Sequence, residues 1–302
     1  MQQAAQTPRD AVSETTSAAA ARVEVKPGVF ARRRSVWARP MQRFGLSGDR
    51  GMRWGWSKTV NFGDWVGPYL YACRTGNAPV YCNTIRGGRA PVIFAAGSIL
   101  HKISHPDQAV VWGTGIMSRD ARFARPRDIR AVRGPLTRER CLELGYDCPE
   151  VYGDPAIILP DYIAPVPFVP GRVGLVPHLS HREEADRLFG HHDDVMIIDV
   201  GRSVEEVVLD IMSCEFLVSS SLHGVIIAHA YDRPCAPVAF STALLGDGTK
   251  FDDYYLSAGN TCPRFERMRG SETCEQLSQM AQSTPIPHLE PLRQGLRQTC
   301  PF

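Results

Sequence analysis

The sequence predicts an α/β protein laid out as two lobes with a cleft between them, each lobe built on a parallel sheet. Three observations predict it. The chain has 302 residues, roughly two domains at about 150 each. From residue 91 short apolar runs alternate with helical patterns, which marks repeated βα units and a sheet buried on both faces. Leu159 to Pro170 holds Pro160, Pro165, Pro167 and Pro170, a density that no regular element accommodates, so it reads as a linker.

Taken in order, residues 1–40 form a tail rich in Ala, Gln, Ser and Thr, with seven basic residues against three acidic ones. It lacks the apolar core of a secretory signal and reads as disordered. Residues 41–165 make the first lobe. Its helix follows Asn61-Phe62-Gly63-Asp64, and its strands are Pro91 to Ala96, Ala109 to Trp112 and Asp128 to Val132. A second helix runs from Pro135, a residue tolerated at a helix start, to Leu144, with Gly145 as its stop. Residues 166–262 make the second lobe, with strands Arg172 to Pro177, Asp194 to Asp199, Glu215 to Ser219 and Cys235 to Ala239. Ser203 and Glu206 form a capping box, and Val204, Val207, Val208, Ile211 and Met212 then repeat on one helical face. Residues 263–302 are a polar helical stretch with a Pro-rich end. All five tryptophans precede the linker, so the lobes are not recent copies of each other.

Composition narrows the function. Hydrophobic residues at 43% and charged residues at 22% suit an ordinary globular core and exclude wholesale disorder. A net charge of +2, from 34 Lys and Arg against 32 Asp and Glu, disfavours a general polyanion binder. The basic excess sits in the tail without interleaved stacking aromatics, which argues against nucleic acid as a partner. No apolar run approaches the ~18 residues of a membrane span. The basic tail, with Trp37 behind it, suits peripheral contact with an anionic membrane. Nine cysteines without C-x-x-C spacing suggest neither a zinc site nor a disulfide framework, so no metal is expected and reduced thiols in the cytoplasm are.

Open α/β sheets bind ligands beyond the carboxyl ends of their strands, and the small polar residues cluster there. Ser219-Ser220-Ser221-Leu222-His223-Gly224 joins a strand to a helix N-terminus, a place that presents backbone N–H groups to an anion and sets His223 in the first turn to exchange a proton. The alternative is a capped helix with a core histidine. Asn61, Gly63 and Asp64 make a similar turn, as do Gly97-Ser98 and Gly113-Thr114-Gly115. Arg133 ends a strand, where its fork of donors suits a carboxylate or phosphate; a surface ion pair is the plain alternative. His178 and His181 add a polar cluster at another strand end. There is no G-x-S-x-G elbow and no Walker lysine. The residues alone reach an anion-binding two-lobed α/β protein.

At these residues the sequence resembles the polysaccharide pyruvyl transferase family, and within it the exopolysaccharide ketalases of the succinoglycan type. The likeness rests on Asn61 to Asp64 with Pro68-Tyr69-Leu70, Gly97 to Leu100, Val111 to Gly115, Val132 to Thr137, Tyr152 to Ala156 and Ser219 to Gly224, in order between about 52 and 257. The resemblance implies Rossmann-like lobes similar to GT-B glycosyltransferases. It implies transfer of the enolpyruvyl unit of phosphoenolpyruvate to two hydroxyls of a lipid-linked or nucleotide-linked saccharide, without a further cofactor. It makes His223 the general acid or base and Arg133 the holder of the donor's anionic groups. Asn61, Gly63, Asp64, Gly97, Ser98, His178, Ser220, Ser221, Leu222 and Gly224 become substrate-binding positions. Several members of the family carry Arg where this chain has Ser221, and Arg202, His178, His181 and Arg182 are the candidates to replace that cation. A GT-B-type glycosyltransferase using a nucleotide sugar and a non-catalytic saccharide-binding component are the competing readings.

Overall fold

The structure, a computed structural model, describes residues 53–55, 61–77, 79–82, 91–240 and 247–302, with backbone alone at 53–55 and 80–82. The tail expected to be disordered lies outside the described residues. The fold is mixed α/β with two five-stranded sheets, all of whose pairings are parallel. The first comprises β1 (Arg53–Gly55), β2 (Val80–Cys82), β3 (Val92–Phe94), β4 (Ala109–Trp112) and β5 (Asp128–Ala131), in the order β2-β1-β3-β4-β5. The second comprises β6 (Val169–Val176), β7 (Val195–Ile197), β8 (Cys214–Ser219), β9 (Cys235–Ala239) and β10 (Glu266–Arg267), in the order β10-β9-β8-β6-β7. Counted from its own first strand, each sheet therefore runs 2-1-3-4-5. Strands β4 and β9 are buried along their whole length, which explains why they read in the sequence as unbroken apolar runs.

The connecting helices follow local sequence. Helix α1 (Phe62–Thr75) starts at Asn61, whose side chain accepts from Gly63 N at 3.1 Å. Helix α2 (Pro135–Glu143) has proline in its first turn, where the missing N–H has no partner to lose. Helix α3 (Arg182–Phe189) precedes β7. Helix α4 (Val204–Ser213) has the predicted capping box, and its five periodic residues are buried. Helix α5 (Leu222–Ala230) is buried at every position, as an apolar helix without a polar face must be. Helices α6 (Thr249–Ser257), α7 (Cys274–Gln282) and α8 (Glu290–Thr299) complete the chain.

Three expectations are corrected. The proposed linker is shorter than its prolines suggest, because Pro155–Asp161 forms a 3-10 helix and β6 already includes Val169 and Pro170. Proline's fixed φ suits both a 3-10 turn and the exposed start of a strand. The Pro-rich end carries α8, with Pro291 in the first turn. Strands β1, β2 and β10 went unpredicted, being two or three residues long.

The two sheets share one continuous buried cluster: Ile93, Trp112 and Ala131 from the first belong to it together with Val176, Leu217 and the α4 stripe. Tyr69 of α1 donates to Glu205 of α4 at 2.9 Å. The last helix returns to the first sheet, where Trp112 Nε1 donates to Leu296 O at 3.2 Å and Phe302 packs edge-on against both Tyr71 and Trp112.

Candidate active site

A strand order of 2-1-3-4-5 reverses direction between its first and third strands, and open α/β sheets take ligands at that switch point, beyond the carboxyl ends. In the first sheet the segments leaving β1 and β3 carry Asn61 to Asp64 and Gly97-Ser98. In the second, the segments leaving β6 and β8 carry His178 to His181 and Ser219 to Gly224. The structure brings these four segments together around His223.

Helix α5 sets His223 in its first turn, buried and edge-on to Phe62. The ring lies so close to Gly63 that a Cβ there would stand 2.0 Å from Nδ1. Glycine at 63 is therefore a requirement of the site. Gly97, at φ +96° where only glycine is comfortable, lies against both Asp64 and His223, and its N–H donates to Asp154 Oδ2 at 3.3 Å. Asp154 is fully buried, caps the 3-10 helix through Ala156 N, and stands 3.5 Å from His223 Nε2. That separation is beyond a hydrogen bond, and Nε2 is buried without a hydrogen-bond partner among the described residues. Burial raises the Asp64 carboxyl above the ordinary carboxylate range against the smaller opposing pull of His223 and Lys102. Two carboxylates thus attend one imidazole whose Nε2 is not tied up in a hydrogen bond among the described residues, an arrangement suited to proton exchange.

The other flank is basic. Arg133 is wholly buried, so the surface ion pair considered for it is excluded. Its Nε and Nη2 each meet Asp253 Oδ2 at 3.0 Å, Nη2 donates to Ile116 O at 2.7 Å, and Nη1 donates to Ser98 Oγ at 2.6 Å. Thr137 completes the carboxylate's shell through its N–H and hydroxyl. Arg133 is chiefly a strut between β5 and α6 that fixes Ser98, with one Nη1 hydrogen left uncommitted. Lys250 sits one helical turn before Asp253 and is 7% exposed. Burial, and then Arg133, lower its ammonium to about 8.

The serines do not cap α5. Ser219 Oγ donates to Val176 O and Ser221 O, and Ser220 Oγ accepts from His178 N at 2.9 Å and meets His181 Nδ1 at 3.1 Å. Ser221 is the N-cap residue but makes no side-chain cap bond. Side chains therefore tie the loop to β6 and leave the first-turn N–H groups of α5 to a ligand or water. Gly224 allows close packing, since a Cβ there would meet Ser219 Oγ at 2.4 Å. Leu222 belongs to the core cluster, so its side chain faces packing and only its backbone is offered to a ligand.

Of the four candidates for the replacing cation, none is a free charge. Arg182 is paired with Asp186 and Asp199, and Arg202 with Asp210 and Glu206. Burial lowers His178 to about 4, helped by Lys250, His181 and His223, and also lowers His181. Sequence reasoning missed Asp154 as a site residue although it stood in Gly153-Asp154-Pro155, a motif of the resemblance. It missed Lys250 and Asp253 because no short pattern marks them.

Two surface concavities, about 510 Å³ around Arg125 to Pro149 and about 690 Å³ around Arg264 to Pro285, are lined by other residues. Among the described residues no helix is long and apolar enough to cross a membrane.

Fold and site together define an α/β protein with a histidine–carboxylate group beside a basic flank, at the meeting of two topological switch points. A family model of polysaccharide pyruvyl transferases matches residues 84–242, more than half of the chain. The chain belongs to the polysaccharide pyruvyl transferase family, a family of transferases with a role in polysaccharide pyruvylation. It is also similar to an uncharacterized protein of Acanthamoeba polyphaga mimivirus, 29% identical over 207 residues, covering 65% of this chain and 70% of that protein. No solved structure matches the chain.

Proposed function

We propose that this protein moves the enolpyruvyl group of phosphoenolpyruvate onto two hydroxyls of a saccharide, forming a pyruvate ketal and releasing phosphate. The observation that carries the reading is the buried Nε2 of His223, unpartnered among the described residues, 3.5 Å from Asp154 and beside Asp64. In the forward direction His223 delivers a proton to the donor's methylene carbon, and the first hydroxyl adds to the adjacent carbon. Phosphate then leaves with its bonding electron pair, and the second hydroxyl closes the ketal. Two protons are lost from the hydroxyls: one balances the new methyl group and the other departs with phosphate. Asp154 stands where it can orient the imidazole. Asp64, with its raised carboxyl pKa, is suited to take a hydroxyl proton and return it.

The two sheets, each of order 2-1-3-4-5, support a GT-B-like pair of lobes with donor and acceptor meeting between them. We place the acceptor among lipid-linked or nucleotide-linked saccharides of cell-surface or exopolysaccharide synthesis, as in the succinoglycan-type branch. On this reading the enzyme works in the cytoplasm, with its basic tail toward the inner face of the membrane.

The test is thermal stability with millimolar phosphoenolpyruvate and, separately, with a nucleotide sugar. At about 100 times its dissociation constant a ligand stabilises the fold by roughly 2.7 kcal/mol. The reading expects stabilisation by phosphoenolpyruvate. No shift with it, alongside a clear shift with the nucleotide sugar, overturns the donor and favours glycosyl transfer.

A further inference from the structure

Lys250 is a buried cation without a counter-ion among the described residues. It stands in the first turn of α6 and is 7% exposed. The nearest carboxylate along its own helix face, Asp253, is spent on Arg133 and Thr137. The charged group that acts on Lys250 is Arg133, and Lys250 in turn acts on His178 and His181. Among the described residues its aromatic contact is its neighbour Phe251, with Nζ 5.4 Å from the ring centroid. No carboxylate among the described residues pairs with it. Burying an ammonium in such surroundings is costly. The fold tolerates that cost where an arriving anion removes it.

The neighbouring imidazoles fit the same ligand. His178 Nδ1 accepts from Ser180 N at 3.2 Å, so the neutral ring carries its proton on Nε2 and offers it as a donor. Ser220, which accepts from His178 N, also holds His181. Beside them is the uncapped start of α5, which carries the positive end of the helix dipole. One full charge, several neutral donors and a helix N-terminus match a multi-oxygen dianion better than a monoanionic carboxylate.

We propose that Lys250 is the phosphate-binding cation of this site, gripping the donor's phosphate together with His178 and His181. The inference rests on the donor reading above and adds the residue that does the gripping. As the carbon–oxygen bond of the donor breaks, charge accumulates on the departing phosphate, so an ammonium fixed there stabilises the transition state more than the ground state.

The test compares wild type, Lys250→Met, Lys250→Arg and, as a control on an exposed cation outside the site, Arg125→Ala. Each is titrated with inorganic phosphate, phosphoenolpyruvate and pyruvate, following heat of binding and thermal stability. The expected result is phosphate and phosphoenolpyruvate binding weakened about 10- to 100-fold in Lys250→Met, the loss of one charge-assisted hydrogen bond. Pyruvate binding is unchanged, Lys250→Arg recovers most of the phosphate binding, and Arg125→Ala behaves as wild type. Ligand-free Lys250→Met melts at or above wild type, because an unpaired buried charge has been removed. Equal phosphate binding by wild type and Lys250→Met overturns the proposal, as does a ligand-free Lys250→Met that melts several degrees lower, the mark of a structural lysine. A wild type that binds phosphate through Lys250 but ignores phosphoenolpyruvate sustains the cradle and overturns the donor reading instead.

Discussion

Replacing Asp253 by leucine strips a fully buried guanidinium of its counter-ion, and the structure sets the size of the effect. Both partners have fully buried side chains. The Asp253 carboxylate takes Arg133 Nε and Nη2 at 3.0 Å each, Thr137 Oγ1 at 2.6 Å and Thr137 N at 3.0 Å. In Asp253→Leu, Arg133 retains only Ser98 Oγ and Ile116 O, two neutral partners for a full charge. Breaking a buried pair from one side costs about 3–5 kcal/mol. For a folded region of 150–250 residues each kcal/mol is worth about 2–4 °C, so the Tm falls by about 6–20 °C. Arg133→Met costs less, because the carboxyl left behind keeps both Thr137 donors and can take up a proton. The double variant Arg133→Met/Asp253→Leu recovers most of the loss, since an apolar pair replaces a buried ionic one at little net cost. Circular-dichroism melts and urea midpoints of the four proteins close the cycle. An Asp253→Leu protein within about 1 kcal/mol of wild type, or a double variant no better than the worse single one, refutes the strut. The same reasoning makes Arg133 a poor probe of ligand binding, because its substitution reports on the fold first.

Three further outcomes follow from the site. His223→Gln lowers the rate of phosphate release about 10²- to 10⁴-fold with little change in Tm, because Nε2 makes no hydrogen bond that the fold depends on; a rate within a few-fold of wild type rejects its proton-transfer role. Gly63→Ala drives a methyl group into the imidazole and displaces it, so turnover collapses while stability falls by only about 1–3 kcal/mol; unchanged turnover rejects the close approach. His229, fully buried with Nδ1 on Tyr254 OH at 3.0 Å, has its pKa lowered by burial to about 4. Between pH 6.5 and 4 the unfolded chain therefore binds a proton that the folded one refuses, and stability falls as the pH falls, by up to roughly 3 kcal/mol. His178 adds to the slope with the same sign. Urea midpoints against pH check it: His229→Gln flattens the curve, and an identical slope in both proteins rejects the assignment.

What the sequence reveals depends on how local the cause is. The central strands are legible because burial on both faces leaves an unbroken apolar run, and α4 because its cap and stripe lie within ten residues. The Ser219 to Gly224 turn and the Asn61 to Gly63 turn are legible for the same reason, each being a strand end or a helix start written in consecutive small residues. The partners of those turns are not local. Asp253 lies 120 positions from Arg133, and nothing around it distinguishes it from Asp252 beside it. Lys250 carries no motif, and its character comes from burial beside Arg133, His178 and His181, residues distant in sequence. The four candidate cations were drawn from residues near strand ends, where Arg182 and Arg202 do lie, yet carboxylates on adjacent turns neutralise them. Proline density misled at the linker because the residue breaks long helices without preventing a 3-10 turn or a strand edge. The short strands β1, β2 and β10 are too brief for any periodicity to register.

The division of labour within the site bears on the order of chemical events. On the proposed mechanism proton exchange falls to His223, with Asp154 and Asp64 beside it, and the grip on phosphate falls to Lys250. Had a cation stood against His223 Nε2, the protonated ring would be disfavoured at the moment the donor's carbon needs a proton. Had a carboxylate stood against Lys250, it would compete with the phosphate for that ammonium. On the proposed mechanism, protonation of the carbon and departure of the phosphate are thereby assisted by different groups. Glycines and serines at four strand ends make room for that ligand, and a well-packed core extending across both sheets holds the two sides in register.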